Sequence, residues 1–343
     1  MKKKIKALVL AGGLSEERDV SLASAKAITE ALQRLEYDVR VLDSATGRSL
    51  LDQAGHYRLL KDGKSDSKIA LIEKADTALT TALNRDEFKD TDIVFLALHG
   101  GTGEDGTIQA MLELAGRKYT GSGVLASAVS MNKAFAKRIL QNEKIPTPPW
   151  RLFQIKEAAL IPAFIKIIEK EFSFPLIVKP NNSGSTVGLT LVKERASLSV
   201  ALEKAATVSK EVLVEQYIKG REITASILNG RSLPLVEIIP TNELYDYQCK
   251  YTKGKSKYIC PAEISEEVKE EIQRLAARAY EIIGCAGLAR ADFILQGDKK
   301  PYFLEVNTLP GMTELSLAPM AAREAGINFD QLVDEICRSA LQK

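Results

Sequence analysis

Between Leu288 and Leu317 the chain gathers two acids, an amide and a guanidinium on segments that alternate like strands. In LARADFIL, Arg290 and Asp292 stand two residues apart, and in FLEVN so do Glu305 and Asn307. Side chains two apart on a strand point to the same side of a sheet, so each pair shares a face and Val306 takes the opposite one. The intervening QGDKKP reads as a hairpin turn. An antiparallel register that sets Asp292 against Glu305 also sets Arg290 against Asn307, and that one register collects all four groups. Two carboxylates and an amide oxygen are hard donors of the kind that hold Mg2+ while phosphate and water complete its octahedron. The planar guanidinium of Arg290 beside them is suited to gripping an anion. A solvated face with alternating salt bridges would account for Arg290 and Asp292, but not for Asn307 followed by TLPGMTELSL. There a Pro310-Gly311 turn leads into a helix start near Ser316, and a helix N-terminus is a ready anion site.

The elements that must position these groups fit within 343 residues, enough for two or three domains with proper cores. A hydrophobic content of 45% with 27% charged residues is that of a globular protein. The net charge of +2 provides no electrostatic basis for a nucleic-acid partner. Cys249, Cys260, Cys285 and Cys337 are scattered and match no zinc spacing, so reduced thiols are expected. MKKKIKALVLAGG has the outline of a signal peptide, but Lys6 interrupts its apolar run and SEERD follows directly. No later apolar run is long enough to span a bilayer, which places the protein in the cytoplasm with no membrane partner. With only His56 and His99 present, histidine-rich metal sites are excluded and a Ser-His-Asp mechanism would have to use one of those two.

Residues 4–10 read as a buried strand, and AGGLSEERDVSLASAKAITEAL turns from a glycine loop into an amphipathic helix. Open parallel sheets bind ligands at such loops, although Gly12-Gly13 lacks the spacing of a dinucleotide fingerprint. Further strands are expected at Asp38 to Leu42 and Asp92 to Leu98, the second placing His99 at its tip on the side of the Glu16-Glu17-Arg18 loop. SAVSMNKAFAKRILQ reads as one helix containing Lys133, and IPTPPW at 145–150 ends it and suggests a domain boundary. Next, LIVKP ends in Lys179 before NNSGSTVG, a loop able to fold over phosphates though it is not a Walker A motif. EVLVEQYIKGREITASILNG reads as two strands with a turn at Lys219-Gly220, and Glu215 and Glu222 flank an apolar slot fit for a base. Residues 241–261 are aperiodic and tyrosine-rich, the composition of a lid.

In order along the chain, LVLAGGLSEERDVSL, ALHGGTGEDG, YTGSG, MNK, LIVKPNNSGSTVG, VEQYIKGREIT, YDYQCKY, GLARADF and LEVNTLPGMTELSL resemble the D-alanine–D-alanine ligases of the ATP-grasp superfamily. The resemblance covers nearly the whole chain. It implies an α/β (α+β) architecture in which a Rossmann-like domain, 1–125, precedes a two-lobed ATP-grasp fold, with lobes at 126–224 and 225–343 and a lid loop near 241–261. It implies ATP as the phosphoryl donor, two Mg2+ ions with Mn2+ able to substitute, and a homodimer. It also implies the reaction, in which the carboxylate of one D-alanine is phosphorylated and the amine of a second attacks the acyl phosphate.

By position, the resemblance assigns Lys133 and Lys179 to the phosphates. Glu215, Gln216, Ile218 and Glu222 fall to the adenosine, and Ser185 and Lys250 also lie beside ATP. Asp292, Glu305 and Asn307 become the metal ligands. Glu17, with His99 nearby, is similar to the acid that holds the first ammonium, and Ser185 and Tyr251 match the residues that close the lid with it. Arg290 and the Gly311 amide resemble the oxyanion stabilisers, and Ser316 and Leu317 the receptor for the second carboxylate. Leu315 stands where many members have His, and Thr186 where Ser is common. Three rival readings are a D-alanine–D-lactate ligase, against which Tyr251 argues, a non-catalytic nucleotide-binding module, and a nicotinamide-dependent dehydrogenase, which lacks its fingerprint.

Overall fold

The structure is a computed structural model that describes residues 4–58, 79, 81, 83, 85, 89–184, 186–241 and 255–342. The first strand, β1 (Lys6–Ala11), leads into helix α1 (Arg18–Arg34), and β2 (Asp38–Asp43) and β3 (Ile93–Leu96) pair with β1 in parallel in the order β2-β1-β3. β1 is apolar without alternation because both of its faces are covered. Ala7, Val9 and Ala11 join one core cluster, and Leu8 and Leu10 another.

The helices α2 (Thr107–Leu114), α3 (Val124–Met131) and α4 (Lys133–Asn142) follow. The single helix expected across MNK is two, broken at Asn132, whose side chain accepts from Phe135 N and caps α4. Asn is among the strongest N-cap residues, and here it wins over helix continuity. Lys133 becomes the first residue of a new helix.

Four strands, β4 (Trp150–Gln154), β5 (Leu176–Pro180), β6 (Thr190–Val192) and β7 (Glu211–Gln216), form an antiparallel sheet in the order β4-β7-β5-β6. Helices α5 (Ile161–Glu171) and α6 (Leu198–Val208) cover one face, burying Ile168, Leu198 and Leu202 against Val178 and Val214. The remaining strands are β8 (Arg221–Leu228), β9 (Arg231–Ser232), β10 (Val236–Pro240), β11 (Ser256–Ile259), β12 (Leu288–Gln296) and β13 (Lys300–Asn307). They build the antiparallel sheet β11-β10-β8-β12-β13, with β9 beside β8. The two strands expected around Lys219-Gly220 are β7 and β8, and this segment carries the chain from one sheet to the other. A Cβ on Gly220 would collide with the Leu295 carbonyl oxygen, so this crossing point requires glycine.

Helix α7 (Glu266–Ile283) packs on the β8-β12-β13 sheet in one core with residues of α3 and α4, so the span 126–224 contributes to two cores rather than one. Helices α8 (Leu317–Glu324) and α9 (Phe329–Leu341) complete the chain and share a core with α1 and β1. Arg34 pairs with Asp330 and the Tyr37 hydroxyl donates to Asp334, tying α1 and the turn after it to α9. This shared packing holds the 309–316 turn against α1 and the loop after β3, through Ser24 and His99. No described helix is long and apolar enough to cross a membrane.

Candidate active site

In the β12-β13 hairpin Arg290 pairs with Asn307 and Asp292 with Glu305, the pairing expected from alternation. Near the turn the register differs by one, with Gln296 opposite Lys300 and Phe293 opposite Phe303. Leu304 is the extra residue of a β-bulge between them. Continued without the bulge, the turn's register would set Leu304 against Asp292 and send Glu305 to the core face with Ala291. The bulge keeps Phe303 in the core while Glu305 joins Asp292 on the open face. Arg290 commits Nε and Nη2 to the Asp292 carboxylate at 2.8 Å each, and the buried Thr224 hydroxyl of β8 donates to Asp292 Oδ1 at 2.7 Å. Asn307 Oδ1 accepts from Leu309 N at 2.9 Å.

This face forms part of a pocket of about 970 Å3, open to solvent, between the four-stranded sheet and the C-terminal sheet. Apolar walls come from Ile177, Leu189, Ile218, Ile294 and Leu304, and Glu222 also lines it. The polar end holds Lys133, Lys179, Asp292 and Glu305. From the first turn of α4, Lys133 Nζ donates to Ser183 O at 2.7 Å and lies 3.3 Å from Glu305 Oε2, bridging the NNSG loop and the hairpin. Lys179 Nζ pairs with Glu215 Oε2 at 2.8 Å. The side-chain amide of Gln216 bonds the carbonyls of Ser173 and Pro175, so its contribution to the pocket comes through its backbone.

Glu215 has a second partner that the sequence reading passed over. Lys137, one helical turn beyond Lys133 on α4, reaches Glu215 Oε1 at 2.9 Å from a fully buried position. Burial pushes the Lys137 amine down to about 8 against the pull of Glu215. Burial alone would raise the Glu215 carboxyl, but Lys137 and Lys179 together hold it below the usual carboxylate range.

On the N-terminal side, Glu17 precedes α1, and its Oε2 would lie 2.7 Å from a Cβ on either Gly100 or Gly184. Its carboxylate is thus wedged between the loop after β3 and the NNSG loop. The neighbouring Arg18 makes a bidentate pair with the fully buried Asp43 and also donates to Gly13 O at 3.0 Å, pinning the glycine loop. His99 is buried and has both ring nitrogens engaged. Because Leu309 O only accepts, Nδ1 carries the proton toward it, and Nε2 accepts from Ser24 Oγ at 3.1 Å. Burial lowers the His99 pKa further, despite the opposing charge of Glu17. Behind it sits Glu104, another group the sequence reading missed, whose carboxyl is pushed up to about 8 by burial and by the charge of Glu17. Its place three residues before a helix in GTGEDG offered only a weak signal.

The 309–316 turn closes the site. Met312 N donates to Ser24 Oγ at 3.2 Å, and Ser316 Oγ accepts from Thr313 N at 3.1 Å. A Cβ on Gly311 would come 2.9 Å from Ser316 Oγ. Ser316 stands at the N-cap position of α8 without a side-chain capping bond, and Leu317 opens the helix with a buried side chain. The expected lid at 241–261 falls largely, and Ser185, Lys250 and Tyr251 fall wholly, outside the described residues.

Among the described residues no group of three or more His, Cys, Asp or Glu side chains could hold a metal ion unaided. Asp292, Glu305 and the Asn307 amide instead offer an incomplete set of hard oxygen donors beside two phosphate-seeking lysines. Such a set fits a divalent cation that arrives with polyphosphate oxygens to complete its shell.

Comparison with known proteins bears on this geometry. Residues 6–122 match the family model for the D-ala D-ala ligase N-terminus, and residues 139–338 the model for the D-ala D-ala ligase C-terminus. A D-alanine–D-alanine ligase of Desulforamulus reducens is 41% identical over 98% of each chain, and one of Geotalea uraniireducens is 39% identical over 98% of this chain and 95% of its own. Among solved structures, the D-alanine–D-alanine ligase of Bacillus anthracis complexed with ATP superposes with a TM-score of 0.75 at 33% identity, covering 99% of this chain and 98% of that one. The VanG D-Ala:D-Ser ligase of Enterococcus faecalis superposes with a TM-score of 0.78 at 30% identity, covering 98% of this chain and all of the other. The mixed α/β architecture is that of the ATP-grasp ligases. With both family models matched in order and relatives near 40% identical along its length, the chain belongs to the D-alanine–D-alanine ligase family.

Proposed function

We propose that this chain joins two D-alanines into D-alanyl-D-alanine with hydrolysis of ATP to ADP and phosphate, supplying the dipeptide of peptidoglycan precursors. The observation that carries the reading is the bulged hairpin. It sets Asp292 and Glu305 together in the same pocket as Lys133 and Lys179, with apolar walls beside them for a base. ATP enters with its base between Ile177, Ile218 and Leu304, near Glu222 and the backbone of Gln216, and its phosphates toward the two lysines. Asp292, Glu305 and Asn307 would hold Mg2+, which would supply neutralisation of polyphosphate charge.

The remaining chemistry belongs to the chain's own groups. Glu17 receives the ammonium of the first D-alanine, with His99 kept neutral behind it. A carboxylate oxygen of that D-alanine attacks the γ-phosphorus, and ADP leaves. The amine of the second D-alanine attacks the acyl carbon, phosphate departs, and the new amide sheds a proton. Arg290 and the Gly311 amide stabilise the oxyanion formed in between, and preorganised donors act strongly because they need no reorganisation at that moment. Ser316 and the first amides of α8 receive the second carboxylate, as a helix N-terminus favours an anion. Ser185, Lys250 and Tyr251 are proposed to close over the site. We assign domains at 1–125, 126–224 and 225–343, a homodimeric assembly and a cytoplasmic location to the same reading.

ADP release measured with D-alanine against L-alanine tests the substrate, and the Asp292→Asn and Glu305→Gln variants test the site. D-alanine-dependent ADP release that falls by orders of magnitude in both folded variants is the expected result. Unchanged rates in the variants would overturn the metal assignment, and stimulation by L-alanine alone would overturn the substrate.

A further inference from the structure

We propose that Lys137 is a positioning residue for the nucleotide: from inside the core it fixes the Glu215 carboxylate and thereby leaves Lys179 with charge to offer the phosphates. Glu215 and Lys179 line the pocket, whereas Lys137 does not, so Lys137 acts on the ligand only through Glu215. Its amine is held by Glu215 Oε1 and Thr147 Oγ1, both at 2.9 Å, and by Phe303 O at 3.4 Å. Those partners come from the end of β7, from the segment entering β4 and from β13, the three pieces of chain that meet behind the pocket.

Charge and burial both favour this role over a packing role. One carboxylate lies between two ammonium groups, at 2.9 Å from Lys137 and 2.8 Å from Lys179. If Lys137 were absent, Glu215 and Lys179 would form a closed neutral pair, and a phosphate would have to compete with Glu215 for the whole charge of Lys179. As a mere space-filler, a fully buried lysine is a poor choice, because the cost of taking its charge out of water is avoided by an apolar side chain of similar length. Its hydrogen bonds to Thr147 and Phe303 hold the amine in place for the ion pair with Glu215 Oε1, while Oε2 pairs with Lys179.

The inference rests on the assignment of the pocket to ATP, and the experiment separates the two. Binding of ATP is measured by calorimetry on the full chain for wild type, Lys137→Met, Glu215→Gln and the double variant, with thermal melts to establish that each is folded. The Met variant should bind ATP roughly tenfold more weakly, while the KM for D-alanine stays within about twofold. In the Glu215→Gln background the same Lys137→Met change should cost less than about twofold, because the group it acts through is gone. ATP affinity in folded Lys137→Met equal to that of wild type overturns the proposal. An equal loss in both backgrounds also overturns it, since Lys137 would then act through the core. Should Lys137→Met fail to fold, Thr147→Val removes one of the bonds holding the amine without changing charge; about threefold weaker ATP binding supports the role and unchanged binding overturns it. Failure of the wild type to bind ATP would instead refute the nucleotide assignment of the pocket.

Discussion

Replacing Glu104 by glutamine should remove a pH-dependent weakness from the fold. Glu104 lies behind the turn after β3, 9% exposed, with Oε2 accepting from Gly100 N at 3.0 Å and Oε1 without a hydrogen-bond partner among the described residues. Burial first, and then the charge of Glu17, raise its pKa from 4.5 to about 8. A carboxyl raised in the folded state contributes fully below 4.5, where it is neutral whether the chain is folded or not. As pH climbs, the unfolded chain releases the proton while the folded chain keeps it, and stability falls until the folded group also ionises near 8. At about 1.4 kcal/mol per pH unit this loss reaches about 3 kcal/mol at pH 7 and about 5 kcal/mol in full. In Glu104→Gln the new amide is neutral throughout and keeps an oxygen for Gly100 N, so the variant matches the protonated wild type in shape and charge. Urea unfolding of both chains at intervals from about pH 4 to about pH 8.5, a range that brackets the fall, is the assay. The stability gap should open with pH in favour of the variant, with unchanged m-values. Parallel stability curves for the two chains would refute the reasoning.

Three further outcomes follow from the geometry. Thr224→Val removes the hydroxyl that donates to Asp292 Oδ1 at 2.7 Å, and should lower D-alanine-dependent ADP release by about tenfold, a loss of one donor to a charged group, without lowering the melting temperature by more than a few degrees. Gly184→Ala places a Cβ 2.7 Å from Glu17 Oε2, and should raise the KM for D-alanine by roughly tenfold while leaving that for ATP in place; equal changes in both would mean that the loop, not Glu17, was disturbed. Asp43→Asn breaks a buried bidentate pair with Arg18 and should cost about 3 kcal/mol in a denaturant titration, since it leaves the guanidinium without its counter-charge.

Much of the site could be read from alternation. Asp292 and Arg290 share a face, as do Glu305 and Asn307, because a strand repeats every two residues, and the observed pairing joins both sets. The bulge that makes the pairing compatible with the turn was not legible. Leu304 looks like any other strand residue, and only the packing of Phe303 against Phe293 at 5.8 Å between ring centroids shows why the chain inserts it. The break at Asn132 was legible in principle, because Asn directly before a helical run is a capping signal. The turn at Lys219-Gly220 shows the opposite case: local sequence marks the break between two strands, but nothing local says which sheet receives the second.

What the sequence determined by itself was chemistry and local direction. It supplied the hard oxygen donors, the lysines, the glycines where backbone must pass closely, and the face to which each strand side chain turns, all consequences of residue type and short-range periodicity. Only the tertiary structure decided that Lys137 lies under Glu215, that Glu104 is buried beside Glu17, and that His99 is locked between α1 and the Leu309 turn. Those contacts join residues far apart in the chain, and the burial that shifts their charges arises only when separate sheets and helices close on one another. No window of sequence contains that information, because an ionisable group is perturbed by what surrounds it in space.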